Sequence, residues 1–522
     1  MKQIFYCGLI FAMGCNSAQN KSADPEKLTE ATEEQRISFA NTITEEELKE
    51  HLYTYASDEF KGRETGTESE KTATAYLKKN YEEMGIPAAK GGDNYFQNVP
   101  IEQTEIPTGS ITIDGKTYTI GSEIITYSSL KGNDLEIAYA GYGIDSPDYS
   151  DYNELDVNGK IVLIKLGEPI SADGTYLLSG SKEPSDWSNW RETLSKRVQI
   201  AKEKGAAGVL YSDDQYFGRT KQRFDYYKSS GHSGQMRLKS DDNPIAVMFI
   251  NSETAASIYP EFATAESGSV LATKAQIDID NHAKEVTANN VVALIKGKTK
   301  PDEYVVVSAH LDHVGVDANG NVFNGADDDG SGTVAVLEIA EAFKKAADAG
   351  YGPDRSIIFL HVTGEEKGLF GSEYYTDHPI FPLANTVADL NIDMIGRIDP
   401  DRTGDRNYIY LIGSDKLSTE LHNLSEEVNK KYANIQLDYK YNDKNDPNRF
   451  YYRSDHYNFA KNNIPVIFYF NGTHADYHKI SDTPDKINYD LLTNRARLVF
   501  QTAWEVANRP ERIIVDKAEA TE

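Results

Sequence analysis

The chain has 522 residues, of which 39% are hydrophobic and 11% aromatic, and its formal net charge is −28. This length and composition indicate two or three folded domains and exclude a largely disordered protein. So negative a surface repels phosphate backbones, which argues against a nucleic-acid-binding function. Both cysteines, Cys7 and Cys15, lie in the first fifteen residues, so the rest of the chain has no disulfide, cysteine nucleophile or thiolate metal site.

The N-terminus has the pattern of an export signal. Lys2 precedes an apolar run over residues 4–14 that is too short to span a bilayer and ends at Gly14-Cys15. This ending resembles a bacterial lipoprotein cleavage box with Cys15 as the lipidated residue, although Ala12 replaces the usual larger aliphatic, and ordinary signal-peptide cleavage nearby is the alternative. We predict a signal peptide over 1–15, a flexible tether over 16–40, and a periplasmic or cell-surface protein that meets the bacterial outer membrane only through its lipid anchor.

Hydrophobic periodicity divides the rest of the chain into regions with different predicted secondary structure. A capped helix is predicted to begin after Thr44, and helical spacing continues from 66 to 85. Short alternating runs between about 105 and 290 predict a β-rich module with one or two helices, one of them over 197–204. From 303 onward strands and helices alternate, which predicts an α/β fold whose central sheet is mainly parallel and covered by helices on both faces.

Acidic residues and histidines follow the predicted strands of this α/β region. They are His310 and Asp312, the run Asp327-Asp328-Asp329, the pair Glu365-Glu366, Asp393, and Tyr477-His478. Because the carboxyl ends of parallel strands meet at one edge of a sheet, we expect these side chains to converge there. Carboxylate and imidazole ligands without thiolate suit catalytic zinc, with cobalt or manganese as alternatives. One member of the pair Glu365-Glu366 can then face a metal while the other acts as general base, and Asp312 can orient His310.

Taken in chain order, these motifs resemble the co-catalytic zinc exopeptidases that include bacterial leucyl aminopeptidase and glutamate carboxypeptidase. The resemblance implies a site with two Zn²⁺ ions that hydrolyses N-terminal residues from peptides. It assigns His310 and Asp393 to one ion, Glu366 and His478 to the other, Asp328 as the bridge, Glu365 as the general base, and Tyr477 as a donor to the tetrahedral oxyanion. It also implies a cis peptide bond between Asp328 and Asp329.

The middle of the chain resembles a protease-associated domain. The segments 140–143, 159–163 and 205–210 carry this likeness, and in the family such a domain helps to cover the active site. We therefore predict a zinc peptidase domain over 41–105 and 285–510, interrupted by an inserted β-rich protease-associated domain over 106–284.

The choice of activity stays open from the sequence. The same site would serve a carboxypeptidase or dipeptidase, since family frequency and no particular residue favours the aminopeptidase. A glutaminyl-cyclase-like acyltransferase or a receptor-like binding protein without activity would also have such a fold, but the complete ligand set argues against both. Arg397 is interpreted as a structural ion pair, His361 as a core residue and Ser454-Asp-His456 as a candidate pocket wall, while His313 and His474 are unassigned. Nothing in the sequence indicates an oligomeric state.

Overall fold

The computed structural model describes residues 31–230, 235–239, 245–265 and 268–517. The predicted signal peptide and the first part of the predicted tether, residues 1–30, lie outside the described residues. Within the described part of the chain, no helix has both the length and the apolar character needed to cross a membrane.

The α-helices are spread along the whole described chain. They are α1 Glu33–Ala40, α2 Glu45–Tyr55, α3 Glu68–Met84, α4 Trp190–Glu203, α5 Asp214–Ser230, α6 Ser252–Ile258, α7 Gly332–Asp348, α8 Phe370–Asp377, α9 Thr419–Val428, α10 His456–Ala460 and α11 Tyr489–Asn508.

Among the described residues, the strands form two large sheets and one small hairpin. They are β1 Phe96–Thr104, β2 Thr108–Ile113, β3 Lys116–Thr119, β4 Ile125–Thr126, β5 Leu130–Tyr139, β6 Asp145–Ser146, β7 Tyr149–Ser150, β8 Ile161–Lys165, β9 Gly208–Ser212, β10 Met236–Leu238, β11 Ala246–Ile250, β12 Ser269–Asp280, β13 Ala283–Ile295, β14 Lys300–His310, β15 Arg355–Val362, β16 Thr386–Ile392, β17 Tyr408–Ile412, β18 Gln436–Asp438 and β19 Val466–Phe470.

The larger sheet has nine strands in the order β10-β1-β13-β15-β14-β16-β19-β17-β18. Its centre is parallel, since β15, β14, β16 and β19 all run the same way. Strands β1, β10 and β13 on one side, and β17 on the other, pair antiparallel with their inner neighbours. The four parallel strands therefore end together at one edge, where the chemistry of such sheets is found.

Helices cover both faces of this sheet, and successive residues of β14 pack into the cores on opposite faces. Val305 and Val307 point into a core shared with α7 and α11, whereas Tyr304 and Val306 point into a second core with Tyr375 of α8. Successive side chains of a strand lie on opposite faces, so a strand covered on both sides must be apolar throughout. The continuous run of buried residues from Tyr304 to His310 meets that requirement.

The second sheet has eight strands in the order β3-β2-β12-β5-β8-β9-β11-β4 and its own apolar cores. Three helices, α4, α5 and α6, belong to this part of the chain, where the sequence predicted one or two. Strand β10 lies within the predicted insert but pairs with β1 in the larger sheet.

Helix α2 begins, and helix α3 ends, at the capping residue that the sequence predicted. The Thr44 hydroxyl accepts the Glu47 N–H and so caps α2, and Gly85 ends α3 in a left-handed conformation. The predicted tether needs correction at its end, because Glu33–Ala40 form α1. Arg36 of that helix is buried and donates to Glu505, so α1 packs on the folded domain.

Candidate metal centre

The acidic residues and histidines singled out by the sequence do converge at the carboxyl edge of the parallel strands. His310 is the last residue of β14, and Glu365 and Glu366 follow β15. Asp393 directly follows β16, and His478 lies in the loop after β19. Asp328 lies in the turn that leads into α7. The sheet topology thus brings residues separated by up to 168 positions into one cluster.

The first set of donor atoms surrounds Nε2 of His310. This nitrogen lies 3.3 Å from Asp328 Oδ1 and 3.7 Å from Asp393 Oδ1. All three side chains are buried, and together they have the composition of a metal-binding group.

The second set shares Asp328 with the first. His478 Nε2 lies 2.9 Å from Asp328 Oδ2 and 3.0 Å from Glu366 Oε2. His313, which the sequence left unassigned, contacts this set, because its Nδ1 lies 2.9 Å from Glu366 Oε1. Since the two oxygens of Asp328 face different sets, this carboxylate has the geometry that a bridge between two ions needs.

Neighbouring aspartates hold the turn that presents Asp328. Asp327 Oδ1 accepts the N–H of Gly396, and Asp329 Oδ1 accepts the N–H of Met394, so both lie against the loop after β16. The Asp328–Asp329 peptide bond is cis, as the resemblance implied. A Cβ at Gly325 would lie 2.4 Å from the Asp328 carbonyl oxygen and 2.5 Å from the His313 ring, so only glycine fits there.

Asp312 has a different role from the one predicted. His310 Nδ1 lies 3.1 Å from the backbone carbonyl of Asp312 but 3.8 Å from its Oδ1. The carboxylate instead accepts the N–H of Glu365 at 3.1 Å and the hydroxyl of Thr65 at 2.8 Å. The imidazole is therefore oriented by the main chain of Asp312, and the side chain fixes the backbone of Glu365.

The arrangement of donors fits divalent cations. His310 Nε2, Asp328 Oδ2, Glu366 Oε1 and His478 Nε2 are buried, and although they lie close to one another, none makes a hydrogen bond of good geometry with the described residues. Buried polar atoms are normally paired, so this concentration points to a missing ligand. Burial alone would lower the pKa of His478, but the carboxylates of Asp328 and Glu366 raise it to about 10. These carboxylates thus favour positive charge between them, which a metal ion supplies.

A cavity opens on the cluster. Glu365, Asp328, Asp393 and Tyr477 line it together with an aromatic and basic wall of Phe450, Arg453, Phe468 and Phe470. Desolvation, reinforced by the nearby Glu366 and Asp393, holds the pKa of Glu365 well above its usual range. Tyr477 stacks on His478 with ring centroids 3.9 Å apart. Desolvation and the nearby carboxylates also hold the pKa of Tyr477 far above its usual value, so its hydroxyl stays a donor.

The remaining sequence assignments have mixed outcomes. His361 is buried and lies 2.8 Å from the Tyr81 hydroxyl, which confirms it as a core residue. Arg397 pairs with Asp476 at 2.8 Å, as a structural ion pair should. Of the segment near Ser454-Asp-His456, it is the preceding Arg453 that lines the cavity, whereas the three named residues are buried outside its lining. His474 Nε2 lies 3.1 Å from Asp327 Oδ2.

Comparison with known proteins agrees with this geometry. Residues 290–503 match peptidase family M28, a range that contains every candidate ligand described above. These residues belong to peptidase family M28. A probable leucine aminopeptidase 2 from Aspergillus oryzae is 27% identical over 74% of this chain and 69% of its own length. Transferrin receptor protein 1 of Gallus gallus is 26% identical over 54% of this chain, which spans only 37% of the receptor.

The fold of the chain also has a counterpart among solved structures. An aminopeptidase from Aneurinibacillus sp. strain AM-1 superposes with a TM-score of 0.53 at 20% sequence identity, covering 92% of this chain and 98% of that one. At this identity the superposition shows a shared fold and no more.

Proposed function

We propose that this M28 protein is a zinc-dependent aminopeptidase with two ions in its active site. The observation that carries the proposal is the sharing of Asp328 between two donor sets, with Glu365 lining the cavity beside them. His310, Asp393 and Asp328 would hold one ion, and Glu366, His478 and Asp328 the other. The relative named as a probable leucine aminopeptidase and the structural counterpart named as an aminopeptidase support the choice of activity.

The chain's own residues supply the proton transfers of peptide hydrolysis. Glu365 would accept the proton that the attacking water loses and deliver it to the leaving amine. Asp312 would keep this base in place through its hydrogen bond to the Glu365 N–H. Tyr477 would donate to the oxygen of the tetrahedral intermediate.

Zinc, when bound, would provide the Lewis acidity that activates the water and polarises the scissile carbonyl. Its ligands carry three negative charges, from Asp328, Glu366 and Asp393, against four positive charges of two divalent ions. One hydroxide would complete neutrality, so the donor set favours a deprotonated water near pH 7.

One observation favours a carboxypeptidase or dipeptidase as the second candidate. Arg453 lines the cavity, and no carboxylate of the described residues lies within ion-pair distance of it, whereas Arg397 is already paired. A guanidinium in the same cavity as Glu365 is the side chain that a substrate carboxylate would need.

Mass spectrometry of peptides with free or blocked termini separates the two candidates. The zinc-loaded protein should remove residues stepwise from free N-termini and leave N-acetylated peptides intact. Loss of residues from the C-terminus of an N-acetylated peptide would establish the carboxypeptidase instead. Absence of any cleavage would overturn both candidates.

Two further proposals concern the location of the protein and the role of the eight-stranded sheet. We propose that the chain is exported and lipidated at Cys15, on the basis of Lys2, the apolar run over 4–14 and Gly14-Cys15. We also propose that the eight-stranded sheet is a protease-associated domain that helps to cover the active site. Metabolic labelling with a fatty acid, compared with a Cys15→Ser variant, would test the anchor.

A further inference from the structure

A second group of carboxylates lies between α2 and α7, apart from the cavity of the metal centre. Glu47 comes from α2, and Glu338 and Glu341 come from one face of α7, three positions apart. One carboxylate oxygen of each lies within 4.8 Å of the others. Like charges this close repel, so the arrangement needs a compensating charge.

Each carboxylate is held in place through a single oxygen. The Thr44 hydroxyl donates to Glu47 Oε2 at 2.7 Å, and Lys345 donates to Glu341 Oε2 at 2.6 Å. His51 Nε2 lies 3.3 Å from Glu338 Oε1, while its Nδ1 is engaged with the Tyr76 hydroxyl at 2.6 Å. These partners orient the carboxylates and leave the other oxygen of each available, as partners behind metal ligands do.

Glu338 is the residue that points to a bound ligand. Its side chain is only 2% exposed, and its Oε2 has no hydrogen-bond partner among the described residues. A buried carboxyl oxygen without a partner is costly unless an ion or water occupies the space beside it. The three carboxylates outnumber the ammonium of Lys345, and a divalent cation would offset this excess of negative charge.

We propose that Glu47, Glu338 and Glu341 form an additional divalent cation site that joins α2 to α7. Carboxylate oxygens from two helices suit an oxygen-preferring ion such as Mn²⁺, Mg²⁺ or Ca²⁺, whose other positions water would fill. The site would brace the turn that carries Asp328, because α7 begins just after that turn and Leu52 of α2 packs against Gly330.

Titration of the zinc-loaded protein with Mn²⁺, followed by electron paramagnetic resonance of the free ion, tests this site. Wild type should bind one Mn²⁺ without losing zinc, and both Glu338→Gln and Glu341→Gln should bind it at least about tenfold more weakly. Glu46→Gln, an exposed neighbour on α2, should bind it like wild type.

Two results would overturn the proposal. One is a wild-type protein that binds no Mn²⁺, or binds it only as zinc is released. The other is unchanged Mn²⁺ affinity in the two variants. Glu341 is partly exposed, so Glu341→Gln keeps the test decisive if the buried Glu338→Gln protein does not fold. Because the readout is bound Mn²⁺, it does not depend on peptidase activity.

Discussion

Glu365 and Glu366 are adjacent in sequence, but their substitution is expected to impair different properties of the protein. Glu365 lines the cavity without belonging to either donor set, whereas Glu366 lies 3.0 Å from His478 Nε2. Glu365→Gln should therefore retain zinc and lose peptide hydrolysis by about 100-fold or more, since a positioned base contributes that much. Glu366→Gln should lose zinc as well. Zinc content and cleavage of an unblocked peptide check both, and a Glu365→Gln protein with the wild-type rate would exclude this base.

His313 gives a second prediction for a single residue. Its Nδ1 contacts Glu366 Oε1, so His313→Gln should weaken zinc binding by about 10- to 100-fold, the usual effect of losing a partner that orients a ligand. Competition with a chelator of known affinity measures this change. The exposed His378→Gln serves as the matched control. Equal zinc affinity in the His313 variant and wild type would show that Glu366 needs no such support.

At the scale of elements, hydrophobic pattern located the strands and therefore the edge where His310, Asp393 and His478 meet. The pattern could not place His313, because alternation along a strand would put it on the opposite face from His310 and Asp312. The chain leaves β14 at His310, so that rule no longer applies three residues later. The sequence analysis missed helix α1 because the hydrophobic pattern of this segment is only weakly amphipathic. Its packing on the domain depends on Gln501 and Glu505, which are distant in sequence.

The turn before α7 depends on a carboxylate from a distant loop. Asp482 Oδ2 accepts the N–H groups of Asp327 and Asp328 at 3.0 and 3.2 Å. Asp482→Ala would leave these buried donors unpaired, at a cost of about 1–3 kcal/mol in the free energy of unfolding, and should also weaken zinc binding at Asp328. Urea denaturation and zinc titration measure the two effects. The exposed Asp485→Ala should change neither, and equal stability of the two variants would contradict this role for Asp482.

For the whole molecule, the distribution of donors predicts that zinc stabilises one part of the chain. All candidate zinc ligands lie at the edge of the nine-stranded sheet, whereas the eight-stranded sheet has separate apolar cores. A ligand stabilises only the unit whose folded form binds it, by about 4 kcal/mol when its free concentration is a thousand times Kd.

Calorimetry with zinc and with a chelator should therefore show two unfolding transitions, of which only one moves to lower temperature when zinc is removed. Glu366→Gln identifies that transition, because in this variant it should no longer respond to zinc. The β1 and β13 strands connect the two sheets through short links to β2 and β12. If both transitions moved together in wild type, these links would couple the sheets into one cooperative unit, and zinc binding would then stabilise the eight-stranded sheet as well.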